Sequence, residues 1–193
     1  MKNASTFTDN QLVQAFANGD NQALEVLIFR HRDKIFSTIL YLVKDKYLAE
    51  DLFQDAFIKI IDTIRSNRYI DEGKFLPWAI RITHNLCVDH FRKLKRAPAV
   101  KTTDDHNLFE LYNFREAGAD QQMVQSETQE RISRLLNLLP EEQREVIVLR
   151  HYADLTFKEI SVVTGCSINT ALGRMRYALI NIRKMLAEKQ IAL

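Results

Sequence analysis

Residues 155–178 read LTFKEISVVTGCSINTALGRMRYA. Thr156 followed by Glu159 is a capping box, in which the hydroxyl takes a first-turn amide while the carboxylate bonds back to the cap. Ile160 and Val163 then repeat at helical spacing. Gly165 suits a left-handed stop because it carries no Cβ. Ser167 caps a second helix, which presents Asn169, Thr170, Arg174 and Arg176 and keeps Ala171, Met175 and Ala178 for packing. Small Ser161, four residues before the turn glycine, is expected where the two helices approach closely. The pattern is that of a helix-turn-helix whose second helix enters the DNA major groove. A helical hairpin packed for structure alone is the competing reading.

The surrounding chain of 193 residues is 46% apolar, with only 5 Gly and 3 Pro. No period-two strand pattern stands out, so an all-α fold is expected. No apolar run approaches membrane-spanning length, and the opening MKNASTFTDNQ lacks the apolar middle of a secretory signal. Cys87 and Cys166 form no CxxC and read as reduced thiols of a cytosolic protein. Net charge is +2, but residues 74–96 hold six basic side chains against Asp89 alone. Positive charge gathered there and towards the C-terminus suggests two separate contacts with a polyanion.

In chain order, Thr8 and Gln11 cap a short helix through Phe16, and Asn18-Gly19-Asp20 ends it and caps a longer one. Ala23, Leu24, Leu27, Ile28, Ile35, Ile39 and Leu42 form the apolar stripe of that second helix. A third helix is expected over roughly 47–66, turning Phe53, Phe57, Ile60, Ile61 and Ile64 inward. On its opposite side Asp51, Asp55, Ile58 and Asp62 share a narrow stripe, with Gln54 at the edge. That stripe reads equally well as a solvated face or as a docking site in which an apolar residue ringed by acids meets a basic partner helix. Residues 67–74 form a loop. The fourth helix starts near Phe75, with Pro77 in its first turn, and reaches Arg96. Its expected core side is Phe75, Trp78, Ala79, Ile82 and Leu86. Arg81, His84, Asn85, Arg92, Lys95 and Arg96 share the other side and point to phosphate contact.

His84, Cys87 and His90 are spaced three apart rather than in the i, i+4 manner that metals favour, so no metal is expected. No nucleophile–base pair or glycine-rich phosphate loop is present; no cofactor and no catalytic residue is expected. Helical patterning fades over 97–125, which reads as a linker between domains 1–96 and 126–193. The second domain opens with a helix over about 126–139, apolar at Ile132, Leu135, Leu136 and Leu139. Pro140 starts the next helix, with Glu141 and Glu142 in its first turn and Val146, Ile147, Leu149 and Tyr152 on its buried side. The helix-turn-helix follows, and its last helix continues through Leu179, Ile182, Met185 and Leu186.

Taken together, these passages resemble an extracytoplasmic-function (ECF) sigma factor of the bacterial sigma-70 family. Region 2 is matched by DNQLVQAFANGDNQALEVLIFRHRDKIF, AEDLFQDAFIKII and FLPWAIRITHNLCVDHFRKLKR. Region 4 is matched by LPEEQREVIVLRHYADLTFKEISVVTGCSINTALGRMRYALINIRK. The resemblance implies a cytoplasmic bacterial initiation factor with two small helical domains, one a region 2 bundle and the other a region 4 helix-turn-helix. It implies binding to core RNA polymerase, through the β′ clamp helices and the β flap, and to promoter DNA. An anti-sigma factor is a further partner common in the family, and no membrane insertion is implied. Asp51, Gln54 and Asp55 fall on the family's clamp-docking motif, with Ile58 beside them. The 67–74 loop and the helix after it would handle the minus-ten element through Arg68, Tyr69, Lys74, Trp78, Arg81, His84 and Asn85, with Arg92, Lys95 and Arg96 on phosphates. Ser167, Asn169, Thr170, Arg174 and Arg176 would read the minus-thirty-five element. Leu172, Gly173 and Tyr177 depart from the family, where a basic residue, a serine and a basic residue are common.

Two other readings compete. A dimeric helix-turn-helix regulator would footprint its operator alone, with half-sites about one helical turn apart. A nucleic-acid-processing enzyme using the neighbourhood of His84, Cys87 and His90 would lose activity on chelation.

Overall fold

A computed structural model describes residues 7–69, 73–96 and 131–188. Among the described residues every regular element is an α-helix. The chain divides into two compact units. The first contains α1 (Asp9–Ala17), α2 (Asn21–Val43), α3 (Lys46–Arg65) and α4 (Phe75–Arg96). The second contains α5 (residues 131–137), α6 (Glu141–His151), α7 (Phe157–Thr164) and α8 (Ile168–Glu188). The expected linker over 97–125 and the first residues of the helix expected from 126 lie outside the described residues.

Local chemistry sets the helix boundaries of the first unit. The Thr8–Gln11 capping box closes α1, with Thr8 N–H donating to Gln11 Oε1 at 2.9 Å and Gln11 N–H donating to Thr8 Oγ1 at 3.3 Å. Asp20 caps α2 by accepting from Gln22 N–H at 2.9 Å. Asp45 caps α3 by accepting from Leu48 N–H at 2.9 Å. Between α2 and α3 the chain turns at Lys44, in the left-handed region at φ 61°. No glycine marks this turn, and the sequence reading placed no cap there.

Leu27, Ile35, Ile39, Ala49, Ala56, Ile60, Ala79 and Ile80 form the centre of the four-helix core. Polar side chains enter it as well. Thr38 donates to Lys34 O at 2.7 Å and Thr83 to Ala79 O at 2.9 Å, while Ser37 donates to Asp33 O. Bonds back to the preceding turn satisfy these hydroxyls without a second element.

His31 of α2 is also buried. Its Nε2 lies 2.8 Å from Asp9 Oδ2 of α1, and the other carboxylate oxygen of Asp9 takes Arg30 Nη1 at 2.5 Å. The His31 ring packs on Phe75 of α4, with centroids 5.3 Å apart. One imidazole thus links three helices.

In the second unit, Leu135, Leu136, Leu139, Val146, Val148, Leu149, Ile160, Ala171 and Ala178 are buried. Val148 takes the core position the sequence reading assigned to Ile147, which is half-buried. Ser161, expected at the close approach of α7 and α8, stays half-buried, and its hydroxyl returns to Lys158 O at 2.7 Å. The wholly buried small residues are instead Ala171 and Ala178 of α8.

Candidate nucleic-acid and polymerase interfaces

Successive side chains on α3 alternate between core and surface as a 100° rotation requires. Ala49, Leu52, Ala56, Phe57, Ile60 and Ile64 are buried, whereas Asp51, Gln54, Asp55 and Asp62 are exposed. Ile58 stands among these acids with 58% of its surface exposed. The structure therefore presents the acidic stripe with its apolar centre outward, as the sequence pattern requires.

Helix α4 is turned differently from expectation. Its buried residues are Phe75, Ala79, Ile80, Thr83, His84 and Cys87, while Trp78, Ile82 and Leu86 are half-buried. The core face thus lies roughly 100° from the one inferred from apolar residues alone, because a threonine, a histidine and a cysteine help to fill it. His84, expected on the DNA side, is only 6% exposed. It is a core residue and presents no group to a polyanion. Burial also pushes the Cys87 thiol up to about 12. Arg81, Asn85, Arg92, Lys95 and Arg96 remain exposed along the outer side, with Arg92 3.4 Å from Asp89.

Trp78, moved out of the core by the same rotation, joins the loop before α4. Its ring meets Tyr69 edge-on at 4.5 Å, and the buried Phe75 lies 5.8 Å from Trp78 and 6.4 Å from Tyr69. Tyr69 and Trp78 are half-buried, and Arg68 and Lys74 beside them are exposed. Arg68 Nε donates to Ser66 Oγ at 2.8 Å. Half-exposed aromatic rings rimmed by cations suit an unstacked base, whose face stacks on a ring while its phosphates meet the charges. Beneath this platform, His31 and Asp9 support Phe75 from α2 and α1. Neither was singled out from the sequence, since no local pattern couples residues 9, 31 and 75.

In the second unit the capping box of α7 forms as read, with Thr156 N–H donating to Glu159 Oε2 at 2.9 Å and Glu159 N–H to Thr156 Oγ1 at 3.3 Å. Gly165 ends the helix at φ 66°. Ser167 Oγ accepts from Thr170 N–H at 3.0 Å and lies 2.8 Å from Thr170 Oγ1. Asn169, Thr170 and Arg176 are exposed on α8. Arg174 is not placed with them. Its Nη1 lies 3.7 Å from Glu145 Oε2 of α6, and the two side chains are 27% and 17% exposed. Asn181 Nδ2 donates to Gln143 Oε1 at 2.8 Å one step along the same seam. Arg174 thus pairs with Glu145 between α6 and α8 and is half-buried, where Asn169, Thr170 and Arg176 are exposed.

Among the described residues, no group of three or more His, Cys, Asp or Glu side chains is placed to hold a metal ion. None of the described helices is long and apolar enough to cross a membrane.

The family model described as sigma-70 region 2 matches residues 27–97, and that described as sigma-70, region 4 matches residues 129–176. The chain belongs to the sigma-70 family. Similar curated proteins place this sigma factor in the ECF type, which directs RNA polymerase in transcription initiation. It is 28% identical over 171 residues to the RNA polymerase sigma-H factor of Pseudomonas aeruginosa, covering 86% of this chain and 88% of the relative. It is also 28% identical over 175 residues to the ECF RNA polymerase sigma-E factor of Escherichia coli K12, covering 87% and 88%. Two solved structures share its fold. CnrH in complex with the cytosolic domain of CnrY has a TM-score of 0.65 at 21% identity, over 94% of this sigma factor and 99% of that chain. The sigma factor RpoE of Bartonella quintana, in complex with the anti-sigma factor NepR, has a TM-score of 0.64 at 18% identity, over 85% and 96%.

Proposed function

We propose that this sigma factor works in the bacterial cytoplasm as a two-part adaptor between core RNA polymerase and promoter DNA. Residues 1–96 form the polymerase-binding and minus-ten part, residues 97–125 the linker, and residues 126–193 the minus-thirty-five part. Asp51, Gln54, Asp55 and Ile58 dock on the β′ clamp helices. Tyr69 and Trp78 receive an unstacked base, with Arg68, Lys74, Arg81 and Asn85 around it and Arg92, Lys95 and Arg96 on phosphates. In the second unit Ser167, Asn169, Thr170 and Arg176 face the upstream element. The β flap is the second polymerase contact. An anti-sigma factor is a further partner, by analogy with the complex of RpoE from Bartonella quintana with NepR. The chain acts as a regulatory subunit, and phosphodiester chemistry stays with the polymerase.

The observation that carries this reading is the outward stripe of α3, where Ile58 lies exposed among carboxylates on a helix whose opposite side is core. A single exposed isoleucine needs no explanation, but one ringed by acids suits a basic, partly apolar helix. Opening a base from the stack costs a few kcal/mol, which favours a factor that acts only when held by the larger enzyme. The test is run-off transcription by purified core polymerase on genomic fragments. Added chain is expected to produce discrete new transcripts. Asp51→Arg combined with Asp55→Arg is expected to reduce co-purification with core at least ten-fold while leaving the circular dichroism spectrum unchanged. Unchanged co-purification would remove the docking assignment, and an absence of chain-dependent transcripts would remove the function.

A further inference from the structure

The DNA-facing side of α8 holds few free polar groups. Ser167 and Thr170 bond to one another across the cap, and Arg174 turns inward to Glu145. Asn169, Leu172, Gly173, Arg176 and Tyr177 remain, within an arc of roughly 140° at 100° per residue. Leu172 is 44% exposed and Tyr177 62%. Leu172 lies three residues from Asn169 and four from Arg176, so the three side chains are surface neighbours.

On the floor of the major groove, the apolar feature such a leucine can meet is the C5 methyl group of thymine, while amides and guanidinium groups read the polar base edges around it. Gly173 adds a second observation. A Cβ built at Gly173 meets nothing within 4 Å, and its backbone is not in the left-handed region. Nothing inside the protein therefore calls for glycine in mid-helix, where alanine is the better helix former. The space left by the missing side chain opens on the same arc as Leu172.

We infer that Leu172 reads a thymine methyl group in the upstream promoter element, and that Gly173 lets α8 approach closely enough for it to do so. This rests on the reading of the second unit as the upstream DNA reader. Where a basic residue, common in the family, would add a salt-sensitive phosphate contact, leucine adds one that depends on base identity.

The experiment uses the full chain bound to core polymerase. Fragments retained from a pool randomised upstream of the start site supply the common upstream sequence. That sequence is rebuilt with deoxyuridine replacing one thymine at a time, which removes the methyl group alone. At one position the replacement is expected to weaken binding about four-fold, the factor that one buried methyl group supplies. The same replacement is expected to cost Leu172→Ala nothing. Leu172→Lys should likewise lose the methyl dependence and steepen the log–log salt slope by about one. Gly173→Ala is expected to raise the thermal midpoint of the second unit and yet weaken binding to the same fragment.

Tolerance of deoxyuridine at every position by the native chain overturns the inference, as does a penalty that persists in Leu172→Ala. Loss of core binding by Leu172→Ala without any methyl dependence would instead assign Leu172 to the apolar groove it shares with Phe157, Met175 and Leu179. Recovery of no common sequence would remove the underlying reading and this inference with it.

Discussion

His31 couples charge to packing in the first unit. Desolvation pushes its pKa below the ordinary 6.5, outweighing the opposing attraction and hydrogen bond of Asp9, while Arg30 and Lys34 add to the lowering. Because the Asp9 carboxylate only accepts, the neutral ring facing it carries its proton on Nε2, and it packs against Phe75 at a tilt of 42°. Because the folded chain takes up this proton at lower pH than the unfolded chain, the term vanishes well above 6.5 and becomes destabilising as pH falls below it. The urea midpoint is expected to drop between pH 7 and pH 5.5, and His31→Gln should lessen the drop. A parallel pH profile in the variant would place the sensitivity elsewhere. Cys87 makes a second residue-level case. With its thiol raised to about 12 by burial, it has essentially no thiolate at neutral pH. A maleimide is expected to label half-buried Cys166 first and Cys87 only after denaturation; equal native rates would contradict this.

At the scale of single helices, the capping residues were legible from sequence because their interactions span only two or three residues. Thr8 with Gln11, Asp20, Thr156 with Glu159, and Ser167 all act where they were read. Thr156→Ala is expected to cost the second unit about 1 kcal/mol by leaving an orphan amide at the start of α7. Gly165→Ala should cost at least as much, since alanine must adopt φ 66° there. Both are measured by thermal or urea unfolding; a loss under about 0.5 kcal/mol in either, the range of an ordinary surface substitution, would contradict the cap assignment. The face of α4 was less legible. Counting only apolar residues put Trp78 and Leu86 inward, whereas Thr83 satisfies its own hydroxyl within the helix and enters the core freely.

Across the molecule, two compact units answer to separate sets of residues. Destabilisation by Thr156→Ala is expected to stay in the second unit. Hydrogen exchange read by mass spectrometry should show faster exchange in peptides from α6, α7 and α8 and unchanged protection in α1 to α4. Loss of protection in both units would show that they fold as one. The family assignment was legible at this scale because motifs for both regions occur in order along the chain.

From the sequence alone came the capped starts of α1, α2, α7 and α8, the helix-turn-helix and the outward acidic stripe of α3, since each depends on spacings within one or two turns. Tertiary structure decided which charged and polar groups face solvent. His84 lies in the core because of how α4 packs, and Arg174 is held by Glu145, 29 residues earlier on another helix. Periodicity gives the angle between side chains on a helix, but not the zero of rotation, which is set by the packing of the neighbouring helices.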